Sequence, residues 1–145
     1  MQKVAIVAGP ACSGKSTFIK NTFPDRKVID VFDFQDYRCS TPETVMQSYL
    51  DCRDALVQAL KDGYDVVLEH TLLKAKRRPM YIDAIRSVTD ADIEMYWFAP
   101  DVDTYCGRLK ARNCFLGEED AKFALEFGDV PDVSEGYSKV TIITE

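Results

Sequence analysis

The chain of 145 residues is 46% hydrophobic and 29% charged, the proportions of a soluble globular protein long enough for one core and too short for two domains. No apolar run approaches the roughly 18 residues of a membrane span, and strand-like sequence begins at once, so a cytoplasmic protein without a membrane partner is expected. The five cysteines form no C-x-x-C pair, so neither a disulfide framework nor a zinc knuckle is indicated, and the net charge of −6 lies wholly beyond residue 112, where eight acids meet two lysines.

The first element is the apolar run Val4-Ala5-Ile6-Val7-Ala8, the pattern of a strand buried on both faces. Directly after it, Gly9-Pro-Ala-Cys-Ser-Gly-Lys-Ser-Thr17 matches the phosphate-binding pattern G-x-x-x-x-G-K-[ST] in full. Gly9 and Gly14 let the backbone curl until N–H groups point inward at a phosphate, at the N-terminus of a helix whose dipole also favours anions. Gly9, Ala11, Cys12, Ser13, Gly14, Lys15, Ser16 and Thr17 are therefore the candidate nucleotide-binding residues. Lys15 would reach the β- and γ-phosphates and the Ser16 hydroxyl would ligate Mg²⁺. Cys12 occupies a variable position of the pattern and is expected to act as a filler.

A helix is expected from Lys15 to Phe23 and a second strand from Lys27 to Val31, followed by a polar and aromatic segment through Ser40. Thr41-Pro42-Glu43 reads as an N-cap with proline in the first turn. Val45, Tyr49, Cys52, Leu56 and Leu60 then recur at helical spacing until Lys61-Asp62-Gly63. A third strand is expected at residues 65–68, a helix over 76–87 and a fourth strand over 92–98. A helix over 100–113 would carry acids in its first turn and bases in its last. A short helix at 118–127 and a last strand at 140–143 complete the chain.

This alternation predicts an α/β fold: a three-layer sandwich around a parallel sheet of about five strands, with helices on both faces. Ligands should then lie along the C-terminal ends of the strands, where residues 32–40, 69–78 and 108–118 should meet. An N-K-x-D guanine motif is missing from the sequence, which argues against a GTPase. Phosphoryl transfer needs an acid near the acceptor hydroxyl and arginines to neutralise charge, and the chain carries both.

The phosphate loop, then Gln35-Asp36-Tyr37-Arg38, then Glu69-His70-Thr71-Leu72 followed by Arg77-Arg78, then Arg108-Leu109-Lys110-Ala111-Arg112, resembles in order and spacing the phage-type polynucleotide 5′-hydroxyl kinases. The chain also resembles the wider group of small P-loop kinases that includes zeta-toxin-like and chloramphenicol-phosphotransferase-like proteins. The likeness spans about residues 3–113, and Glu135-Gly136-Tyr137 is similar to an E-G-[FY] element of the same group.

The resemblance implies a P-loop kinase domain over residues 1–145 with an arginine lid at about 101–118, and ATP and Mg²⁺ as cofactors. It implies Arg38 as a clamp on an acceptor phosphate, and Arg108 and Arg112 as lid arginines over the ATP phosphates. Where the polynucleotide kinases place their general base, in a D-D-Y-R segment, this chain has Gln35, which cannot accept a proton. Asp33 and Asp36 flank it, and Asp33 is the first choice. Glu69 is expected beside Ser16 as a second metal-site residue. Arg77 and Arg78 would hold a phosphate or open a solvated helix, and the single histidine, His70, is assigned a structural role.

The expected function is transfer of the γ-phosphoryl of ATP to a hydroxyl, with a nucleic-acid 5′ end as the favoured acceptor. The alternatives are a kinase for a small hydroxyl-bearing substrate (nucleoside, nucleotide, sugar or antibiotic) and a nucleotide-binding regulatory ATPase.

Overall fold

The computed structural model describes residues 1–35, 40–113 and 117–144. Asp36 and Arg38, two of the expected site residues, fall outside them.

Five parallel strands form one sheet in the order β2-β3-β1-β4-β5: β1 Lys3–Ala8, β2 Lys27–Asp30, β3 Val66–His70, β4 Asp92–Phe98 and β5 Lys139–Ile143. β1 is central, and Val4 to Ala8 are all buried, as a strand covered on both faces must be. Its register with β3 runs from Val4 opposite Val66 to Ala8 opposite His70. The third strand thus continues two residues beyond the expected Leu68, because pairing with β1 holds Glu69 and His70 extended. Its end lies level with the start of the phosphate loop.

The helices are α1 Lys15–Thr22, α2 Pro42–Lys61, α3 Arg78–Val88, α4 Val102–Ala111 and α5 Glu118–Phe127. α2 begins as its sequence dictates. Thr41 accepts from the Thr44 amide at 3.2 Å while the Thr44 hydroxyl accepts from the Thr41 amide at 2.9 Å, and Pro42 needs no partner in the first turn.

Two starts differ from expectation. α3 opens at Arg78 rather than residue 76, so that Pro79 falls in the first turn, and a 3-10 turn, Ala75–Arg77, precedes it. α4 opens at Val102 rather than Pro100, because the Asp101 carboxylate caps the Thr104 amide at 2.8 Å.

Apolar packing divides into three parts. On one face of the sheet, Cys52, Leu56 and Leu60 of α2 and Tyr81, Ile82 and Ile85 of α3 cover Val4, Ile6, Leu68, Ile93 and Met95. On the other, Ile19 and Phe18 of α1 pack on Ala5, Val7, Val67 and Phe98. A small separate cluster, Tyr105, Leu109 and Ala121, joins α4 to α5, and Cys12 of the phosphate loop packs against it.

Candidate functional site

The phosphate loop leaves β1 through three left-handed residues, Gly9 (φ 148°), Cys12 (φ 61°) and Gly14 (φ 105°). Glycine is required at position 9 on a second ground, since a Cβ there would lie 2.7 Å from the Phe98 Cβ. The Gly9 amide donates to the Thr71 carbonyl at 3.0 Å, tying the loop to the end of β3. α1 has no acid in its first turn, so its N-terminal N–H groups meet no intrinsic counter-charge. The Ser13 hydroxyl is buried and has no hydrogen-bond partner among the described residues, which suits an incoming oxygen anion.

Lys15 is 3% exposed and its ammonium donates to the carbonyls of Gly9 at 2.9 Å and Pro10 at 2.7 Å. Burial lowers its pKa to about 8, against the pull of Glu69 and Asp30. Ser16, next along the helix, donates its hydroxyl to Glu69 Oε2 at 2.8 Å. Glu69 is itself buried in β3, and desolvation raises its pKa while the Ser16 hydrogen bond opposes the shift. These two oxygen donors suit a hard cation such as Mg²⁺. Among the described residues no group of three His, Cys, Asp or Glu side chains could hold a metal ion.

Asp30 joins this site although the sequence reading passed over it as the interior of a strand. β2 stops at Asp30, directly opposite Glu69, and its carboxylate accepts from the Phe32 amide at 3.0 Å to start the 3-10 turn Val31–Phe34. Burial raises its pKa, with the neighbouring charge of Asp33 adding to the rise. In sequence it lies inside the expected strand Lys27–Val31, so only its register opposite Glu69 marks it. Asp33 stands on that turn, exposed.

α4 crosses the phosphate loop. The Tyr105 hydroxyl donates to the Ala11 carbonyl at 2.6 Å, and Arg108 donates to the Ser13 carbonyl with its guanidinium against Gly14. Arg112, one turn on at the helix C-cap, is exposed and its charge acts on Lys15. Lys15, Ser16, Glu69, Asp30, Arg108 and Arg112 thus gather at one end of the sheet, with Thr17 exposed beside them.

Arg78 departs from both expectations for it. It is fully buried, neither open to a ligand nor solvated. Its guanidinium donates to Glu135 at 3.1 and 3.2 Å, to Leu72 O at 3.1 Å, to Leu73 O at 3.3 Å and to Asp129 O, and lies over the Trp97 ring. It bolts the segment after β3 to the segment after α5.

His70 is structural, as expected. Its Nδ1 accepts from the Leu72 amide at 3.2 Å, so Nε2 carries the proton and donates to the Tyr81 hydroxyl at 2.9 Å, which donates on to Tyr49 O. Burial drives its pKa down to about 3. Beside it opens a cavity of about 390 Å³ whose lining includes Tyr49, Lys74, Lys76, Arg77 and Phe127. Of these, the sequence spacing accounts for Tyr49 only as part of a helical stripe and for Phe127 only as the end of a helix.

No protein-family model and no curated protein sequence matches the chain. Solved structures do. A sugar kinase from Janibacter sp. superposes with a TM-score of 0.72 at 14% identity, covering 98% of this chain and 86% of that one. A gluconokinase from Sinorhizobium meliloti 1021 gives a TM-score of 0.67 at 15% identity over 98% of this chain and 82% of its own. The chain has the fold of the P-loop kinases. A chain of the Pnkp1/Rnl/Hen1 RNA repair complex gives 0.70 at 19% identity, matching 87% of this chain but only 43% of that larger one. The expected three-layer sandwich with a five-stranded parallel sheet is thus the observed fold.

Proposed function

We propose that this protein is an ATP- and Mg²⁺-dependent kinase that transfers the γ-phosphoryl group to a hydroxyl, with a polynucleotide 5′-OH as the favoured acceptor. The observation that carries the proposal is Arg108, held on the phosphate loop at Ser13, at the same end of the sheet as the Ser16–Glu69 pair. An arginine fixed against the phosphate loop supplies the charge neutralisation on which phosphoryl transfer depends.

In this reading Lys15 leaves the Gly9 and Pro10 carbonyls for the β- and γ-phosphates, and the backbone from Gly9 to Thr17 cradles them. Ser16 and Glu69 hold Mg²⁺, which neutralises charge on the phosphate oxygens. Arg108 and Arg112 stabilise the transferring group from the lid. Asp33, exposed on the turn after β2, takes the acceptor proton; Asp30, more buried and held by the Phe32 amide, orients the turn. Arg38 clamps an acceptor phosphate, and Asp36, two residues before it, is the alternative to Asp33 as the base.

The test is transfer of labelled γ-phosphate to 5′-hydroxyl DNA and RNA oligonucleotides under saturating Mg·ATP. Transfer by the wild type and its abolition in Lys15→Ala are expected; no product on any oligonucleotide overturns the acceptor assignment. Gln35, at the position where polynucleotide kinases place their base, favours a second reading, a small-molecule kinase. That reading predicts ATP turnover stimulated by a nucleoside, sugar or antibiotic hydroxyl with no oligonucleotide product.

A further inference from the structure

Two surfaces meet at the end of β3. One is the cavity beside His70, where Lys76 and Arg77 are exposed and form no side-chain hydrogen bond or ion pair among the described residues. The other is an aromatic pair on α5: Phe123 and Phe127 are 65% and 39% exposed and stacked, with centroids 5.2 Å apart and planes 25° from parallel. Lys74 joins them, its ammonium 4.0 Å from the Phe127 ring centre and 3.7 Å from Asp129. Exposed stacked rings bury no core surface, and uncompensated cations at a cavity mouth neutralise nothing in the chain itself.

A ligand that satisfies both surfaces alternates flat rings with anions. We propose that the cavity and the Phe123–Phe127 stack form one track for single-stranded nucleic acid, with backbone phosphates on Lys76 and Arg77 and bases on the aromatic faces. This rests on the kinase reading and names how the strand behind the 5′ end is held. Glu119 and Glu126 flank the rings on α5; bases are neutral and tolerate them, while phosphates are kept to the basic loop. The charge separation therefore fixes which edge of the strand faces which element.

Binding is measurable without the chemistry, by fluorescence anisotropy of a 3′-labelled 5′-hydroxyl octathymidylate on the full chain without nucleotide. A matched strand with abasic sites at positions two to four removes the rings alone. The wild type should bind the intact strand about 5- to 150-fold more tightly for each stacked base. Phe123→Ala with Phe127→Ala should lose that preference, and an unchanged melting temperature shows that the fold is kept. Lys76→Ala with Arg77→Ala should flatten the slope of log affinity against log salt by about 1.4, from about 0.7 per cation on a single strand.

Equal affinity of the wild type for intact and abasic strands overturns the track, as does an aromatic variant that keeps the preference. If the aromatic variant alters only sedimentation, the face is a contact between copies of the chain and the proposal falls. A bound strand that receives no phosphate overturns the polynucleotide acceptor assignment and leaves the track standing. Phosphorylation with wild-type kcat/KM in both variants does the reverse.

Discussion

The phosphate-binding half of the site is built from one continuous stretch, Gly9 to Thr17, closed by a single helix, whereas the cavity at the end of β3 takes Tyr49 from α2, Lys74, Lys76 and Arg77 from the segment after β3, and Phe127 from α5. The first half sets a few side chains, Lys15, Ser16 and Arg108, in a frame of backbone: curled amides, loop carbonyls and one helix terminus. The second uses side chains fixed by distant bonds, chief among them the Arg78 bolt to Leu72, Leu73, Asp129 and Glu135. Backbone recognition suits a triphosphate common to many enzymes. A cavity assembled from side chains can change its lining while the loop stays the same.

The largest expected break falls on the phosphate half. Arg108→Ala should lower kcat for transfer by about 10³–10⁵ while leaving the KM for ATP within a fewfold, since an arginine of this kind acts on the transition state. Arg112→Ala, at the exposed end of α4, should cost less. Steady-state kinetics with varied ATP separate the two parameters, and a pure KM effect would make Arg108 a ground-state clamp. Asp33→Asn comes next, with an expected loss of about 10²–10⁴ in kcat for a general base. Asp30→Asn should retain more activity, and the reverse order would move the base to Asp30.

This contrast also explains what the sequence made legible. The parallel sheet and its covering helices followed from β–α alternation, Lys15 and Ser16 from the phosphate-loop pattern, and Arg108 from the resemblance to small P-loop kinases, whereas the strand order came only with the structure. Glu69 was legible as an acid at a strand end, although only the pairing of β3 with β1 carries the strand through it. Asp30 was hidden because its importance comes from register: it matters by standing opposite Glu69, 39 residues away in the chain. Arg78 was misread because Arg77-Arg78 looks solvated in sequence, and the acid that buries it, Glu135, is 57 residues on. No short motif carries such a pairing.

Arg78 therefore tests whether the cavity half, which the proposed function gives to the acceptor, depends on distant bonds. Arg78→Ala removes a donor from the Glu135 carboxylate and from the Leu72, Leu73 and Asp129 carbonyls, while Glu135 keeps the Asp132 amide and the Tyr137 hydroxyl and Leu73 keeps the Asp129 amide. With Glu135 part-exposed, the expected loss is about 1–3 kcal/mol. Urea unfolding should show that loss. At temperatures where the variant is still folded, the KM for the acceptor should rise more than the KM for ATP, because the bolt holds the cavity wall and not the phosphate loop. Equal rises in both would mean that the two halves are one mechanical unit.

The smallest effect concerns His70, on the cavity wall. Its folded pKa is depressed to about 3, below the roughly 6.5 of an unfolded chain. The neutral ring's stabilisation is therefore fully present above pH 6.5 and is lost as pH falls toward the folded value, because the unfolded chain takes up a proton that the native state refuses. Well below pH 6.5 the slope from this one group approaches about 1.4 kcal/mol per pH unit. Asp30 and Glu69, whose pKa values are raised in the fold, push stability the opposite way on acidification, so the wild-type curve alone mixes the signs. The difference between wild type and His70→Gln isolates the ring. Glutamine does not titrate, so between pH 6.5 and 5 the variant should lose less stability in urea titrations, by up to one proton's slope. A difference that stays flat across that range would mean that the histidine titrates equally in both states, and that the chain from the Leu72 amide through Tyr81 to Tyr49 does not hold it neutral.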